Sequence, residues 1–436
     1  MASSSPAPKA RCASARCNAP ANRARRPARW RAGWGGGWAM FSERARAIAL
    51  LQRIERESLY ASLLLLHESG FVRTLVLGVL RWRSRLDFVI EHFAQRPLKK
   101  LDPVVVDVLR LGIYQLQYMD VPSYAAVSET VDLTPKRARG FVNAILRRAS
   151  EKKTPEPRDV ATRTAHPQWL IDRWTKFFGV ERATKIAEAN QELSYPDVLS
   201  LKGDAPPDAE PSKFVNGLWR LHGSSADLDR ERFYPMDEGS AVIADIARSY
   251  GDDVLDLAAA PGGKMIYMAH HGARVIANDV SIARIRPLKA RGAKIVVSDG
   301  RQPPFRKKFE VVLLDAPCSA TGTIRKNPEI KWRLREADIA SFATLQRELL
   351  ASAMTLANKY VVYSTCSLEP EENDEIVAPY ARVDVDGRWQ MADGEERASP
   401  SAIRHAPSFS EWIESGVLRL TPDSGADGFT AFVLRV

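Results

Sequence analysis

The sequence predicts a multidomain chain: an all-α bundle, a small α+β unit, then an α/β Rossmann-like domain with a doubly wound, mostly parallel sheet. Three observations predict this. Apolar residues recur at helical spacing from residue 41 to about 150. From about 236 to 380, strand-like and helix-like runs alternate. The polar residues of that last region fall just after the strand-like runs, at the edge where an open parallel sheet binds its ligands.

At 436 residues the chain has room for several domains, each with its own core. The first segment, 1–40, reads as a disordered basic tail. Residues 1–39 hold Lys9, seven arginines and no acid, among many Ala, Pro, Ser and Gly. The formal charge of +10 comes mostly from this tail, so the rest is close to neutral and overall charge alone says little about nucleic acid. The tail lacks the apolar stretch of a secretory signal. Met40 opens a well-patterned helix and reads as the natural start, with the tail as an extension.

Residues 41–150 carry ARAIALLQRIERESLYASLLLL, FVRTLVLGVLRW, VVVDVLRLGIYQLQYM and FVNAILRRA, all at helical spacing. Leu63 to Leu66 read as the buried face of a helix. Residues 151–165, polar and holding Pro155 and Pro157, read as a linker. Residues 166–235 read as a small α+β subdomain, and 236–436 as the α/β domain. Five strands are expected there: VLDLA, RVIAND, KIVVSD, EVVLLD and KYVVYS. The C-terminal VLRLTPDSGADGFTAFVLRV reads as two strands joined by a turn at the sheet edge. No run approaches the length of a membrane span. Cys12 and Cys17 lie in the tail, and Cys318 and Cys366 follow strands. The four cysteines form neither a disulfide framework nor a zinc spacing, which suits a reducing, cytoplasmic compartment.

The expected strands bring one site together. Ala258, Ala259, Ala260, Pro261, Gly262, Gly263 and Lys264 follow the first. Asp279 ends the second and Asp299 the third; Asp315 and Cys318 follow the fourth, and Cys366 the fifth. The Pro-Gly-Gly turn lets a ligand approach the backbone at a helix N-terminus. It lacks the G-x-G-x-x-G of a pyrophosphate loop, so S-adenosylmethionine, which has no phosphate, suits it better than a dinucleotide. A lone cysteine after a strand is more often packing than chemistry. Two at one sheet edge point to a nucleophile acting on a pyrimidine, because carbon 5 reacts only once a thiol has added at carbon 6. Asp315 is placed to contact the base at N3 and N4.

On these residues the chain resembles known families over nearly all of 41–436. VLGVLRWRSRLDFVI, LRLGIYQLQYMDVPSYAAVSETVDL and GFVNAILRR resemble the NusB-type RNA-binding helical domain. AAAPGGK, LLDAPCSATGTIRKNPEIKWRL, YSTCSLEPEEN, MDEGSA and the late DGF resemble the Sun/RsmB family of RNA cytosine-5 methyltransferases. The resemblance implies Cys366 as nucleophile, Cys318 as an aid to product release and Asp315 as the base contact. It implies S-adenosylmethionine held by Ala258 to Lys264, Asp279, Asp299 and Asp315. It further implies small-subunit ribosomal RNA as substrate; the lack of a metal constellation and of a long apolar run adds the expectation of no metal and no membrane, and a monomer is expected. Three departures stand out: Ala258 where the family often has Cys, no Gly-rich turn before KYVVYS, and PDVLSLKG in place of an Arg-Val-Asn pattern.

Two other functions remain open at this point: a transfer RNA cytosine-5 methyltransferase, and a non-catalytic RNA-binding assembly factor. The second would not need the thiols and acids that this chain keeps. Lys136, Arg137, Arg139, Arg147, Arg148, Lys152 and Lys153 bracket one helix and read as phosphate contacts. Arg325 and Lys326 read as holding RNA phosphates beside the target base. Trp169, Trp174 and Trp332 read as core, and His270 and His271 as structural.

Overall fold

The computed structural model describes residues 42–223, 225, 228–289, 291–385 and 410–436. The basic tail expected at 1–40 lies outside them.

Long amphipathic runs make the N-terminal helices Glu43–Glu57, Gly70–Ala94, Pro103–Tyr118, Ser123–Asp132 and Arg139–Glu151. Ser69 and Asp102 cap two of them by accepting from the Val72 and Val104 amides. Their apolar faces share one core, with Leu75, Leu86, Ile90, Leu109 and Leu111 fully buried. Leu63 to Leu66 depart from the expected buried helix face. The first helix stops at Ser58, which is left-handed, and the run falls on a short turn. Only Leu65 of the four is buried, whereas Leu63 is 69 % and Leu66 65 % exposed.

Two helices, Gln168–Phe178 and Val180–Ala189, precede a small antiparallel sheet. Its strands are β1 (Asp197–Ser200), β2 (Ala209–Pro211), β3 (Leu218–Leu221) and β4 (Phe233–Pro235), in the order β2-β3-β1-β4.

The large sheet holds β5 (Asp253–Asp256), β6 (Arg274–Asp279), β7 (Lys294–Val297), β8 (Phe309–Asp315) and β9 (Ala357–Thr365). It is completed by β10 (Arg382–Val383), β11 (Ile413–Glu414), β12 (Val417–Leu420) and β13 (Phe429–Arg435). The order is β11-β12-β13-β9-β8-β5-β6-β7, with β10 on β13. β5 to β9 pair in parallel, as expected; β13 runs antiparallel to β9, and β12 and β11 extend that edge. Helices Glu238–Ser249 and Gly263–His270 cover one face with Ile285 and Leu288, and helix Asp338–Leu356 covers the other. Burial on both faces explains why the central strands are almost wholly apolar.

The chain runs β5, β6, β7 to one side, then returns to place β8 and β9 on the other. The strand order therefore reverses between β5 and β8. A crevice opens there at the carboxyl ends, where such sheets bind ligands.

Candidate active site

The crevice is a cavity of about 200 Å³. Tyr234, Met236, Asp237, Ser240, Asp256, residues 258–264 and Asp315 line it. Gly262 has φ +107°, and a Cβ there would come within 2.2 Å of the Leu288 side chain. Only glycine therefore fits this turn. Asp279 shapes the turn from β6, accepting from the Ala260 and Ser281 amides through its two carboxylate oxygens. Arg284 donates to the Ala260 carbonyl.

One acid in the crevice is left unsatisfied. Asp256 is 1 % exposed, and neither of its carboxylate oxygens has a protein hydrogen-bond partner. Burial pushes its pKa up to about 7, with Lys264 pulling down and Asp315 and Asp279 pushing up. Lys264 bonds Asp315 at 2.6 Å and the Ser240 hydroxyl at 3.2 Å. Burial works to lower the Lys264 pKa, but Asp315, Asp256 and Cys366 outweigh it, and it ends above the ordinary value. The ammonium thus links the cofactor side of the crevice electrostatically to the thiol side.

On the thiol side, β8 and β9 are parallel neighbours, with Asp315 opposite Ser364 in register. The Ser364 hydroxyl donates to Asp315 at 2.9 Å. The loops beyond the two strands bring Cys318 Sγ to 3.3 Å from Cys366 Sγ. Both thiols are half-buried and free. The hydrogen bond to Cys366, then burial, pushes the Cys318 thiol well above its usual range, and the charges of Cys366, Glu372 and Asp315 add to this. The Gly322 amide donates to the Cys366 carbonyl at 2.9 Å. Gly428 of the DGF segment donates to Gly322 at 2.8 Å, so close that a Cβ on Gly322 would meet the Gly428 carbonyl.

A family profile described as 16S rRNA methyltransferase RsmB/F matches residues 245–430, which hold Asp256, residues 258–264, Asp279, Asp315 and both thiols but not the crevice residues Tyr234 to Ser240. A second, the NusB family, matches 42–151. Ribosomal RNA small subunit methyltransferase B of Citrobacter koseri is 31 % identical over 365 residues, covering 72 % of this chain and 82 % of the relative. The protein of the same name from Salmonella agona is 32 % identical over 393 residues, covering 76 % and 88 %. The chain belongs to this methyltransferase B family. It is an S-adenosylmethionine-dependent methyltransferase with an N-terminal NusB domain. The solved structure titled "Crystal Structure of PH0851" shares the fold, with a TM-score of 0.66 over 90 % of this chain and 98 % of that one at 23 % identity.

Within this family member, most of the expected site residues converge. Ala258 to Lys264 and Asp315 line the crevice; Cys318 and Cys366 face each other beside it. Asp279 stands behind the turn it holds. Asp299 sits apart: it is 43 % exposed, outside the crevice lining, and bound to Arg301, whose hydrogen bonds lower its pKa.

Arg325 and Lys326 do not reach toward RNA phosphates. Arg325 pairs with Asp427, and Lys326 pairs with Asp237, with Asp427 at 3.2 Å and with Asp197 at 3.6 Å. The next residues plug into the helical domain. Lys331 Nζ donates to the Arg81 and Ala165 carbonyls, and Trp332 Nε1 to the Leu80 carbonyl. In the helical domain, Arg137 binds Asp102, and Arg139 and Arg148 donate to backbone carbonyls. Lys136, Arg147, Lys152 and Lys153 remain exposed. Trp174 is buried, donating to Glu369.

The sequence reading missed Asp256. Its signal was an acid inside the otherwise apolar run VLDLAAA. Tyr234 and Ser240 were also missed, and they carry no comparable mark. Among the described residues, no group of His, Cys, Asp and Glu could hold a metal, and no helix is long and apolar enough to cross a membrane.

Proposed function

We propose that this methyltransferase modifies carbon 5 of a cytidine in small-subunit ribosomal RNA through a covalent adduct between Cys366 and carbon 6. The 3.3 Å approach of two free thiols beside the cofactor crevice carries this reading. When bound, S-adenosylmethionine supplies an electrophilic methyl group. The residues fit it: a glycine turn that no side chain obstructs, and a buried carboxylate, Asp256, with both oxygens free to receive an ammonium. Ala258 to Lys264 would hold it, with Asp279 and Asp315. The family likeness adds Asp299, although it stands outside the crevice lining and is bound to Arg301.

The target base enters extruded from its strand. The Cys366 thiolate adds to carbon 6, and the displaced electron pair makes carbon 5 nucleophilic. Asp315 faces the N3 edge, where that charge gathers. After methylation carbon 5 loses its proton to a base, and the carbon 6–sulfur bond breaks to restore the ring. Cys318, beside the leaving sulfur, aids this release. The helical domain over 41–150 and the subdomain over 166–235 present the RNA, and the chain acts as a cytoplasmic monomer without metal.

The test is methyl transfer from labelled S-adenosylmethionine to purified small-subunit RNA, followed by bisulfite sequencing. One newly protected cytidine is expected. Label on another base, or no protected cytidine, would overturn the proposal.

A further inference from the structure

We propose that Glu372 is a positioning residue that sets the spacing of Cys318 and Cys366 by tying together the loops that carry them. The inference rests on the reading of both thiols as reacting groups.

The two loops leave different strands, and 48 residues separate the cysteines in sequence. Something must fix one against the other. Glu372 is fully buried, lies outside the crevice lining and has both carboxylate oxygens occupied by protein donors, so it is not placed to contact base or cofactor itself. One carboxylate oxygen accepts from the Ser319 amide at 2.9 Å and from Gln346 Nε2 at 3.0 Å. The other accepts from the Ser319 hydroxyl and from the Ser367 hydroxyl at 2.5 Å. Ser319 follows Cys318, and Ser367 follows Cys366. Their hydroxyls lie 3.0 Å apart, both turned to the same carboxylate oxygen.

Packing alone does not call for a carboxylate here. Burying one is costly unless every lone pair is used, and these four donors use them. Burial raises the Glu372 pKa, while Ser319 and Ser367 pull it down. The residue is itself held rigidly. Tyr363 donates to the Glu372 carbonyl at 2.7 Å, and Asn373 Nδ2 donates to the Ser367 and Glu369 carbonyls at 2.9 Å. Arg173 of the α+β subdomain pairs with Glu369 and Glu371, bracing the turn from outside.

The spacing can be read without turnover. A diazene oxidant takes two protons and two electrons from a thiol pair, becoming a hydrazine and leaving a disulfide. The rate of Cys318–Cys366 disulfide formation in the full chain, mapped by peptide mass, reports how well the sulfurs are juxtaposed. In Glu372→Ala this rate falls about tenfold, because a disulfide tolerates little change in sulfur placement. Methyl-transfer kcat falls roughly a hundredfold, as for other angstrom-scale misplacements of reacting groups, with KM for S-adenosylmethionine unchanged. Glu372→Gln keeps an acceptor for the Ser319 amide and recovers most of both losses. If Glu372→Ala does not fold, the double variant Ser319→Ala/Ser367→Ala cuts the tie from the other side and shows both losses in weaker form.

Wild-type disulfide and methylation rates in a folded Glu372→Ala, or in the double serine variant, would overturn the proposal. A slowed disulfide in Glu372→Ala, alongside full turnover by Cys366→Ala, would keep the tie and sink the catalytic reading instead.

Discussion

The two halves of the crevice treat their polar groups in opposite ways. On the cofactor side Asp256 is buried with both carboxylate oxygens unused. On the thiol side Glu372 is just as buried, but four donors occupy its oxygens. An unpaired buried carboxylate is costly, which under the proposed reading a bound cofactor would offset. A saturated one marks a frame. The comparison teaches which parts of the site are finished before substrate arrives and which are not.

The largest expected effect breaks the thiol side at the sulfur proposed to react. Cys366→Ala lowers single-turnover methyl transfer by about four orders of magnitude or more, the scale seen when an enzyme loses its nucleophile. Binding of S-adenosylmethionine, measured by calorimetry, stays at the wild-type level. Next comes the frame itself. Lys326→Ala leaves Asp237 without its ion-pair partner, while Asp427 keeps Arg325 and Asp197 keeps Arg220. Breaking a buried ion pair from one side costs about 3–5 kcal/mol, to be read from urea unfolding.

On the cofactor side, Gly262→Ala places a Cβ at positive φ and against Leu288. A cost of about 1–3 kcal/mol in unfolding free energy is expected, with weaker cofactor binding. The smallest effect concerns protons. Asp256, raised to about 7, holds a proton at pH 6 that a bound ammonium would expel. Cofactor affinity is therefore weaker at pH 6 than at pH 8, by about tenfold at most for one proton over one unit. Asp256→Asn flattens that dependence. The same shift makes stability fall as pH rises from about 4 to about 7, because only the folded chain keeps this proton there.

Local pattern carried much of this molecule. The five central strands announce themselves as apolar runs ending in Asp or a turn, and the site follows because the sheet gathers those ends on one edge. Cys318 and Cys366 could be paired because β8 and β9 are consecutive strands of a parallel sheet. Pattern failed where partners come from far along the chain. Arg325 and Lys326 read in sequence as phosphate contacts, yet their partners Asp427, Asp237 and Asp197 lie roughly 90 to 130 residues away and belong to other elements. Leu63 and Leu66 read as helix face until Ser58 ended the helix. Glu372 sits in a polar run, EPEEN, whose three acids look alike. Only the fold separates the buried tie from its neighbours.

The account turns on the unequal roles of the two sulfurs. The direct measurement is a denaturing gel of RNA incubated with S-adenosylmethionine and the Cys318→Ala or Cys366→Ala chain. A shifted, covalent protein–RNA band is predicted with Cys318→Ala and none with Cys366→Ala. A band that persists without Cys366 would contradict the account.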